Sequence, residues 1–336
     1  MMKKIMNAAK DFVPEFMEGI ELAYGDKIRV IGEDRRILVH NNQKKTGKVA
    51  IVTAGGSGHL PVFLGYVGQG MLDGCAVGNV FASPSSDNML QMIKEVDQGS
   101  GVLCLYGNYG GDKMNFHMAE ELADFEDIRT AEVLVCDDVA SRSAEEKEMR
   151  RGVAGMVYAF KVAGAAADQG KTLDEVAAVA QSALDNIRTM GIALSPCIVP
   201  EVGKETFTIA DDEMEVGMGI HGEPGIQVCK MMTADEIAAV IMEKLEADMP
   251  LHAGDEVSVM INGLGATPME ELLILYRAVY KRLQELGVSS YMPHIGEFAT
   301  SMEMAGCSVT LFKLNEEFKT LLRMPASTPF YTNHNK

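Results

Sequence analysis

Three residues of types that carry nucleophile or proton chemistry lie within or directly beside clusters of glycine. His59 ends the segment GGSGH, Asp112 follows NYGG, and His221 lies inside MGIHGEPG. Together they form a coherent catalytic set, because an imidazole can act as a nucleophile, a carboxylate as a base, and a second imidazole as a hydrogen-bond donor to a developing oxyanion. Each residue taken singly favours a structural role.

The elements that must position these residues are predicted from hydrophobic patterns. Apolar runs rich in Val and Ile alternate with long helical patterns, which is typical of α/β domains. The predicted strands are KVAIVTA, GVLCLYGN, AEVLVCD, IALSPCIV, EVSVMIN and SVTLFKL.

Glycine-bearing loops follow four of the apolar runs. Ligands of open α/β sheets bind outside the carboxyl ends of strands, so these loops are candidate binding sites. For any one of them, a tight connecting turn is the alternative. The four loops are TAGGSGHLP, GNYGGDKMNF, MGIHGEPG and NGLGATP.

Three capping boxes are predicted at helix starts, at Ser143–Glu146, Thr172–Glu175 and Thr233–Glu236. Helical patterns over 143–170 and 172–190 form a long interval, after which a domain boundary is expected. We therefore predict an N-terminal α/β domain over residues 1–190 and a C-terminal α/β domain over residues 191–336, the second carrying His221.

Composition and charge exclude several classes of function. The formal net charge of -18 argues against nucleic acid as a direct ligand, because phosphate backbones need clustered Lys and Arg. No segment is long and apolar enough to span a membrane. The six cysteines occur singly, which indicates reduced thiols and predicts a cytoplasmic protein.

Two common kinds of site, a nucleotide-binding loop and a metal site, do not fit the sequence. GGSGH lacks the Lys-Ser/Thr ending of a phosphate-binding P-loop and the spacing of a dinucleotide fingerprint, so no nucleotide site is predicted. His117 and Glu121 could share a metal, but no third ligand lies at a usual spacing. We therefore predict a solvated helix face there and no metal in this chain.

Seven segments together resemble the substrate-binding (K) subunit of dihydroxyacetone kinases, over essentially the whole chain. EVGMGIHGEPG and GGSGH are specific to that family. The resemblance implies two α/β domains and a homodimer. The segments are GGSGHLP, GYVGQGMLDG, FASPSSDNM, NYGGDKMNF, GIALSPCIVP, DEMEVGMGIHGEPG and NGLGATP.

The resemblance also implies roles for individual residues. His221 falls on the histidine that forms a covalent hemiaminal with the ketone, His59 on the second histidine, and Asp112 on the carboxylate that accepts the hydroxyl proton. These three are the expected catalytic residues. The expected substrate-binding residues are Gly56, Ser57, Gly58, His59, Gly107, Asp112 and His221.

Cofactors and partners follow from the same resemblance. In the family, ATP or ADP and Mg²⁺ are held by a separate L subunit or domain, so no cofactor is expected in this chain. A phosphocarrier protein is a possible further partner. Some paralogues instead bind the ketone and act as coactivators with a transcription factor, and this alternative class of function stays open, as does a plain carbohydrate-binding protein.

The chain departs from the family pattern at three positions near the expected site. Leu60 and Asn79 stand where relatives have glutamate, and Gly107 stands where relatives have a lysine that contacts substrate. The missing lysine should widen and neutralise the pocket. We therefore predict that a four-carbon ketose such as erythrulose competes with dihydroxyacetone as substrate.

Overall fold

The structure is a computed structural model that describes residues 3–41 and 47–334. Its helices are α1 (Phe12–Tyr24), α2 (Ser86–Val96), α3 (Gly110–Asp124), α4 (Met156–Asp168), α5 (Leu173–Asp185), α6 (Ala234–Asp248), α7 (Met269–Glu285) and α8 (Glu316–Arg323). Its strands are β1 (Ile28–Ile31), β2 (Ile37–His40), β3 (Ala50–Ser57), β4 (Gly74–Val80), β5 (Val102–Gly107), β6 (Thr130–Val135), β7 (Ile187–Ser195), β8 (Glu213–Val216), β9 (Gln227–Lys230), β10 (Glu256–Gly263), β11 (Ser289–Ser290), β12 (His294–Glu297), β13 (Ala305–Lys313), β14 (Ala326–Ser327) and β15 (Thr332–Asn333).

The first sheet has the strand order β1-β2-β4-β3-β5-β6. Strands β4, β3, β5 and β6 are parallel, and β1 and β2 join as an antiparallel edge. Every residue of β3 and β5 is buried, as expected for central parallel strands covered by helices on both faces. Helices α2 and α3 pack together on one face, and α4 and α5 on the other.

Helix α4 packs against the first sheet and is buried along almost its whole length. Its residues from Met156 to Ala167 are all buried, and the run is apolar and rich in alanine apart from Lys161, whose Nζ donates to the Leu321 carbonyl at 2.6 Å. A helix that is apolar on nearly every side lies inside the protein. It packs between the first sheet and α8 from the end of the chain.

The second sheet is mostly antiparallel and has the order β11-β10-β13-β7-β8-β9, with β12 also paired to β10. Helices α6 and α7 pack on it through a separate apolar core. The α/β architecture predicted from the sequence is thereby confirmed. The division at residue 190 stays a prediction, since β7 runs across it from Ile187.

The helix boundaries agree with the sequence at two of the three capping boxes. Thr172 and Thr233 each accept a bond from the backbone N–H three residues on, and the glutamate at that position bonds back. The prediction at Ser143 is wrong: residues 144–149 form a 3₁₀ helix whose cap side chain makes no capping bond. Between that 3₁₀ helix and α4 the chain is not helical, and at Gly152 and Gly155 it lies so close to backbone atoms and the Asp137 carboxylate that a Cβ would clash.

The predicted helical pattern over 172–190 is too long, because its last residues form the start of a strand. Helix α5 ends at Asp185 and β7 begins at Ile187, earlier than the predicted run IALSPCIV. None of the six cysteines forms a disulfide. Among the described residues, no helix combines the length and apolar character needed to cross a bilayer.

Candidate active site

Three loops at strand ends bring the predicted residues together. His59 follows β3, Asp112 lies in the first turn of α3 just after β5, and His221 lies in the loop after β8 of the second sheet. The rings of His59 and His221 meet edge to face, with centroids 4.6 Å apart. The site therefore forms where the loops of the two sheets meet.

His59 is buried and held by the second sheet's loops. Its Nδ1 lies 2.7 Å from the carbonyl oxygen of Thr300, and the Thr300 amide donates to the His59 carbonyl. A carbonyl can only accept, so Nδ1 carries the proton and Nε2 has a free lone pair. Burial, together with the nearby His221, lowers the pKa of His59 to about 3, so this imidazole is neutral.

That tautomer changes the role expected for His59. Its Nε2 is buried and has no hydrogen-bond partner. The sequence predicted that this imidazole donates a hydrogen bond to an oxyanion, but an unprotonated nitrogen cannot donate. It can instead accept a hydrogen bond or a proton from a hydroxyl group. His59 is therefore suited to act as an acceptor.

Asp112 is buried in the first turn of α3, where the helix dipole favours a negative charge. Burial nevertheless dominates and raises the pKa of its carboxyl to about 6, while Ser83 and His221 act in the opposite direction. One oxygen, Oδ1, is shielded from solvent and has no partner. A carboxylate with a raised pKa and a free acceptor is a suitable base for a hydroxyl proton.

His221 is held by a glutamate two residues further along the chain. Its Nδ1 lies 2.9 Å from Oε1 of Glu223, and its backbone N–H donates to Oε2 at 2.9 Å. Burial is the largest single influence on Glu223 and opposes its ionisation, but the hydrogen bond and charge of His221, a backbone hydrogen bond and the charge of Arg151 together lower the pKa of Glu223 to about 2. The carboxylate therefore accepts from Nδ1 and leaves Nε2 free.

Aromatic rings form the walls around the two imidazoles. Phe81 stacks on His59 at 4.7 Å and meets His221 edge to face at 5.4 Å. Tyr109 meets His221 edge to face at 4.8 Å and donates its hydroxyl to the Gly152 carbonyl. These contacts restrict the orientation of both rings.

The end of β3 and the turn that leads to His59 need glycine at two positions. A Cβ at Gly56 would lie 2.7 Å from the Ala82 nitrogen, and Gly58 has a φ of +98° with Phe81 against it. Ser57 is buried and donates to the Gly78 carbonyl. Gly56 and Gly58 thus allow close packing of this loop, and a ligand role for Gly56, Ser57 and Gly58 stays a prediction.

The three departures from the family pattern lie in different surroundings. Gly107 ends β5, and a Cβ there would lie 3.1 Å from the Tyr109 ring. Asn79 accepts a hydrogen bond from Arg36, and Leu60 is partly exposed beside the His59 loop. Of the three, Gly107 lies nearest to the ring that contacts His221.

Sequence reasoning missed several residues of the site. Glu223 had a local signal, since a carboxylate two residues after the histidine can reach it. Phe81, Thr300 and Arg151 had none, because they come from distant segments and only the fold brings them to the histidines.

The predicted exposed face around His117 contains a charge cluster. His117 Nε2 lies 3.0 Å from Glu132 Oε1, so its partner is a residue of β6 and not Glu121. Ligand atoms of His117, Glu120 and Glu132 lie within 4.8 Å of one another. A hydrogen bond accounts for the contact between His117 and Glu132.

The fold and the site define a class of protein: two α/β units whose loops bring two contacting imidazoles and a buried carboxylate together. The model of the Dak1 domain matches residues 18–330. The chain therefore belongs to the Dak1 domain family, which confirms the resemblance seen in the motifs.

Individual relatives agree with this assignment. The chain is 42% identical, over 97% of its length and 99% of the relative's, to the dihydroxyacetone-binding subunit of PTS-dependent dihydroxyacetone kinase 1 from Listeria innocua. It is 40% identical over 98% of its length to the L-erythrulose kinase of Pectobacterium atrosepticum, but covers only 56% of that protein.

Two solved structures share the fold closely. The dihydroxyacetone kinase operon co-activator Dha-DhaQ has a TM-score of 0.89 at 33% identity, with 95% of this chain and 98% of that chain covered. The dihydroxyacetone kinase of C. freundii has a TM-score of 0.89 at 30% identity, with 99% of this chain and 61% of that chain covered.

Proposed function

We propose that this chain is the ketone-binding subunit of a kinase that phosphorylates dihydroxyacetone or a related small ketose. The observation that carries the proposal is the hydrogen bond from His221 Nδ1 to Glu223, at 2.9 Å, which leaves Nε2 free beside the neutral His59 and the buried Asp112. The relatives named as dihydroxyacetone-binding subunits support it.

The proposed capture step is covalent. Nε2 of His221 attacks the carbonyl carbon, a C–N bond forms, and the C=O π pair moves to oxygen. The alkoxide gains a proton from water and the imidazolium loses one to water, so the neutral hemiaminal forms without loss of water. His59 Nε2 accepts a hydrogen bond from the new hydroxyl group. Covalent capture fixes a small substrate for transfer and rejects polyols, which have no carbonyl.

Asp112 takes the proton of the terminal hydroxyl as the phosphoryl group arrives. A positioned base of this kind is worth roughly 10² to 10⁴ in rate. The ATP or ADP and Mg²⁺ belong, in this proposal, to a separate L-type subunit, which a phosphocarrier protein recharges. The solved C. freundii kinase complex with AMP-PNP and Mg²⁺ supports this division, because the present chain covers 61% of that longer chain.

The proposed subunit acts as a homodimer. Strand β9 lies at the end of the second sheet, and Ile226, Val228 and Met231 in and beside it are about half exposed. An edge strand with exposed apolar side chains in and beside it is a surface that a second copy could pair with.

The coactivator class is the second candidate, because a solved coactivator shares the fold at a TM-score of 0.89. Ketone capture alone needs no base, so the shielded and unpartnered Asp112 oxygen favours the kinase. Turnover in the presence of an L-type subunit separates the two classes.

Intact-protein mass spectrometry after incubation with dihydroxyacetone tests the capture step. Wild type should become heavier by one whole ketone, and His221→Ala should show no such adduct. Crystals soaked with the ketone that show it bound away from His221 would refute the proposal.

A further inference from the structure

Arg151 lies at the meeting point of three segments around the site. Its Nε donates to Asp138 Oδ2 at 2.9 Å, and its Nη2 donates to the Gly217 carbonyl at 3.0 Å. Its Nη1 lies 4.0 Å from Glu223 Oε2. The guanidinium is mostly buried, with 14% of the side chain exposed, so these contacts hold it in one place.

We infer that Arg151 is a positioning residue that holds Glu223 against His221 and thereby presents the lone pair of His221 Nε2 to the ketone. This inference rests on the proposed role of His221 as the nucleophile. The charge of Arg151 is fixed, because a guanidinium does not lose its proton in proteins. It therefore keeps a permanent positive charge beside the carboxylate that selects the tautomer of His221.

Glu223 carries the effect from Arg151 to the imidazole. Its two oxygens have separate partners: Oε1 accepts from the ring nitrogen Nδ1, and Oε2 accepts from the His221 backbone N–H and faces Arg151. If the carboxylate turned away, the neutral ring could carry its proton on Nε2, and that nitrogen would have no lone pair for attack. Histidine tautomers are set in this way by the partner of the opposite nitrogen.

The glycine at position 219 leaves room in the loop for the contact between Glu223 and Arg151. A Cβ at this position would overlap Glu223 Oε2 and Arg151 Nη1. The space that a side chain would fill is occupied by the pair that positions His221. The glycine two residues before the histidine is therefore explained by the room that Glu223 and Arg151 need.

A purely structural role for Arg151 makes a different prediction. Arg151 also joins Asp138, three residues after β6, to the Gly217 loop of the second sheet. If that link were its whole role, its loss would lower stability and leave the His221 tautomer unchanged. Only a readout of the ring protons separates the two roles.

The test is ¹⁵N NMR of histidine side chains at alkaline pH without ketone, with the His221 signals assigned by their absence in His221→Ala. Wild type should show the proton on Nδ1. Glu223→Gln and Arg151→Met should show a mixture of tautomers, and Arg151→Lys should show a larger share of the wild-type tautomer than Arg151→Met. Arg277→Met, which removes an exposed ion pair to Asp235, is the matched control and should resemble wild type.

The rate of ketone adduct formation should follow the tautomer. A fall on the order of 10²-fold is expected in Glu223→Gln and Arg151→Met, because a displaced nucleophile loses its attack geometry. A folded Arg151→Met with the wild-type tautomer and adduct rate would overturn the inference. If Arg151→Met does not fold, Gly219→Ala, which displaces the same pair, decides by the same two measurements. Absence of any adduct in wild type would instead refute the proposed function, while the tautomer result would still stand.

Discussion

Burial shifts the pKa values of Asp112 and His59 in opposite directions, because it disfavours the charged form of each group. Burial raises the pKa of Asp112 to about 6 and lowers the pKa of His59 to about 3. Near neutral pH, Asp112 is therefore a carboxylate that accepts protons readily, and His59 is an uncharged acceptor. Two groups whose pKa values are shifted in opposite directions are suited to separate tasks in one site.

The Asp112→Asn variant tests the base directly. The amide fills the same space but cannot take a proton, so ketone capture should persist and phosphorylation should fall by about 10² to 10⁴ with an L-type subunit present. For wild type, kcat/KM should fall as pH drops below about 6, as the carboxylate becomes protonated. Unchanged turnover in the variant would remove Asp112 from the mechanism.

The stability of Asp112→Asn provides the control for folding. The native state binds a proton at Asp112 with a pKa of about 6, against a usual value of 3.8, so wild type loses stability as pH rises through this interval. The variant does not titrate there and should be more stable than wild type above pH 6, by up to about 3 kcal/mol. Urea denaturation should show that difference vanish below the usual pKa of aspartate.

Gly107 tests which ketose the site prefers. Erythrulose should compete with dihydroxyacetone in wild type, and Gly107→Lys should shift kcat/KM towards the three-carbon ketone, by about 10- to 200-fold at most. Gly107→Ala is the matched control, because its Cβ meets the Tyr109 ring at 3.1 Å without adding charge. An equal shift in both variants would show that crowding of Tyr109, not the lysine, sets the preference.

The sequence could single out His59, Asp112 and His221 as candidates, since each lies beside glycines, and the structure brings the three together. Their tautomers and ionisation could not be predicted from the sequence. The tautomer of His59 depends on Thr300, 241 residues away, and no local pattern reports such a contact. Protonation is set by burial and by partners that only the folded chain provides.

At the scale of elements, local sequence predicts a helix start only where the following residues can form a helix. Thr233 and Ser143 both begin capping-box patterns, but only Thr233 caps an α-helix. The segment after Ser143 leads into Gly152 and Gly155, which are packed against backbone and a carboxylate. Tertiary packing thus overrides the pattern at Ser143.

The difference between Thr233 and Ser143 predicts different effects of replacing each residue with alanine. Thr233→Ala should lower the free energy of unfolding by about 1 kcal/mol, because the Glu236 N–H loses its acceptor. Ser143→Ala should change it by less than about 0.5 kcal/mol. Chemical denaturation of the two variants beside wild type measures both values, and equal effects would contradict the assignment of the Ser143 segment.

At the scale of the whole molecule, the end of the chain returns to the first core. Phe318 of α8 is buried, lies 5.0 Å from Phe312 between ring centroids, and belongs to the same apolar core as α4 and α5. Hydrophobic patterns predicted the strand that contains Phe312, yet they could not show which sheet this segment would cover. The contact of α8 with α4, which lies far earlier in the sequence, depends on the topology.

Because α8 and α4 share a core, we predict that a destabilising substitution in α8 also destabilises α4. Phe318→Ala should lower the free energy of unfolding by about 3 to 5 kcal/mol, through lost burial and the cavity left behind. Hydrogen exchange should show reduced protection in α4. Phe125→Ala, at a site 85% exposed, is the control and should leave both unchanged. If protection falls only in α8 itself, the two halves are energetically separate.

The central claim is that His221 forms a covalent bond to a small ketone. The most direct measurement is ¹³C NMR of dihydroxyacetone labelled at its carbonyl carbon and mixed with excess protein. Wild type should move the labelled signal from the ketone region to that of a carbon bonded to four atoms, with coupling to ¹⁵N when the histidines are labelled, and His221→Ala should not. A wild-type signal that stays in the ketone region, or an equal shift with His221→Ala, would contradict the account.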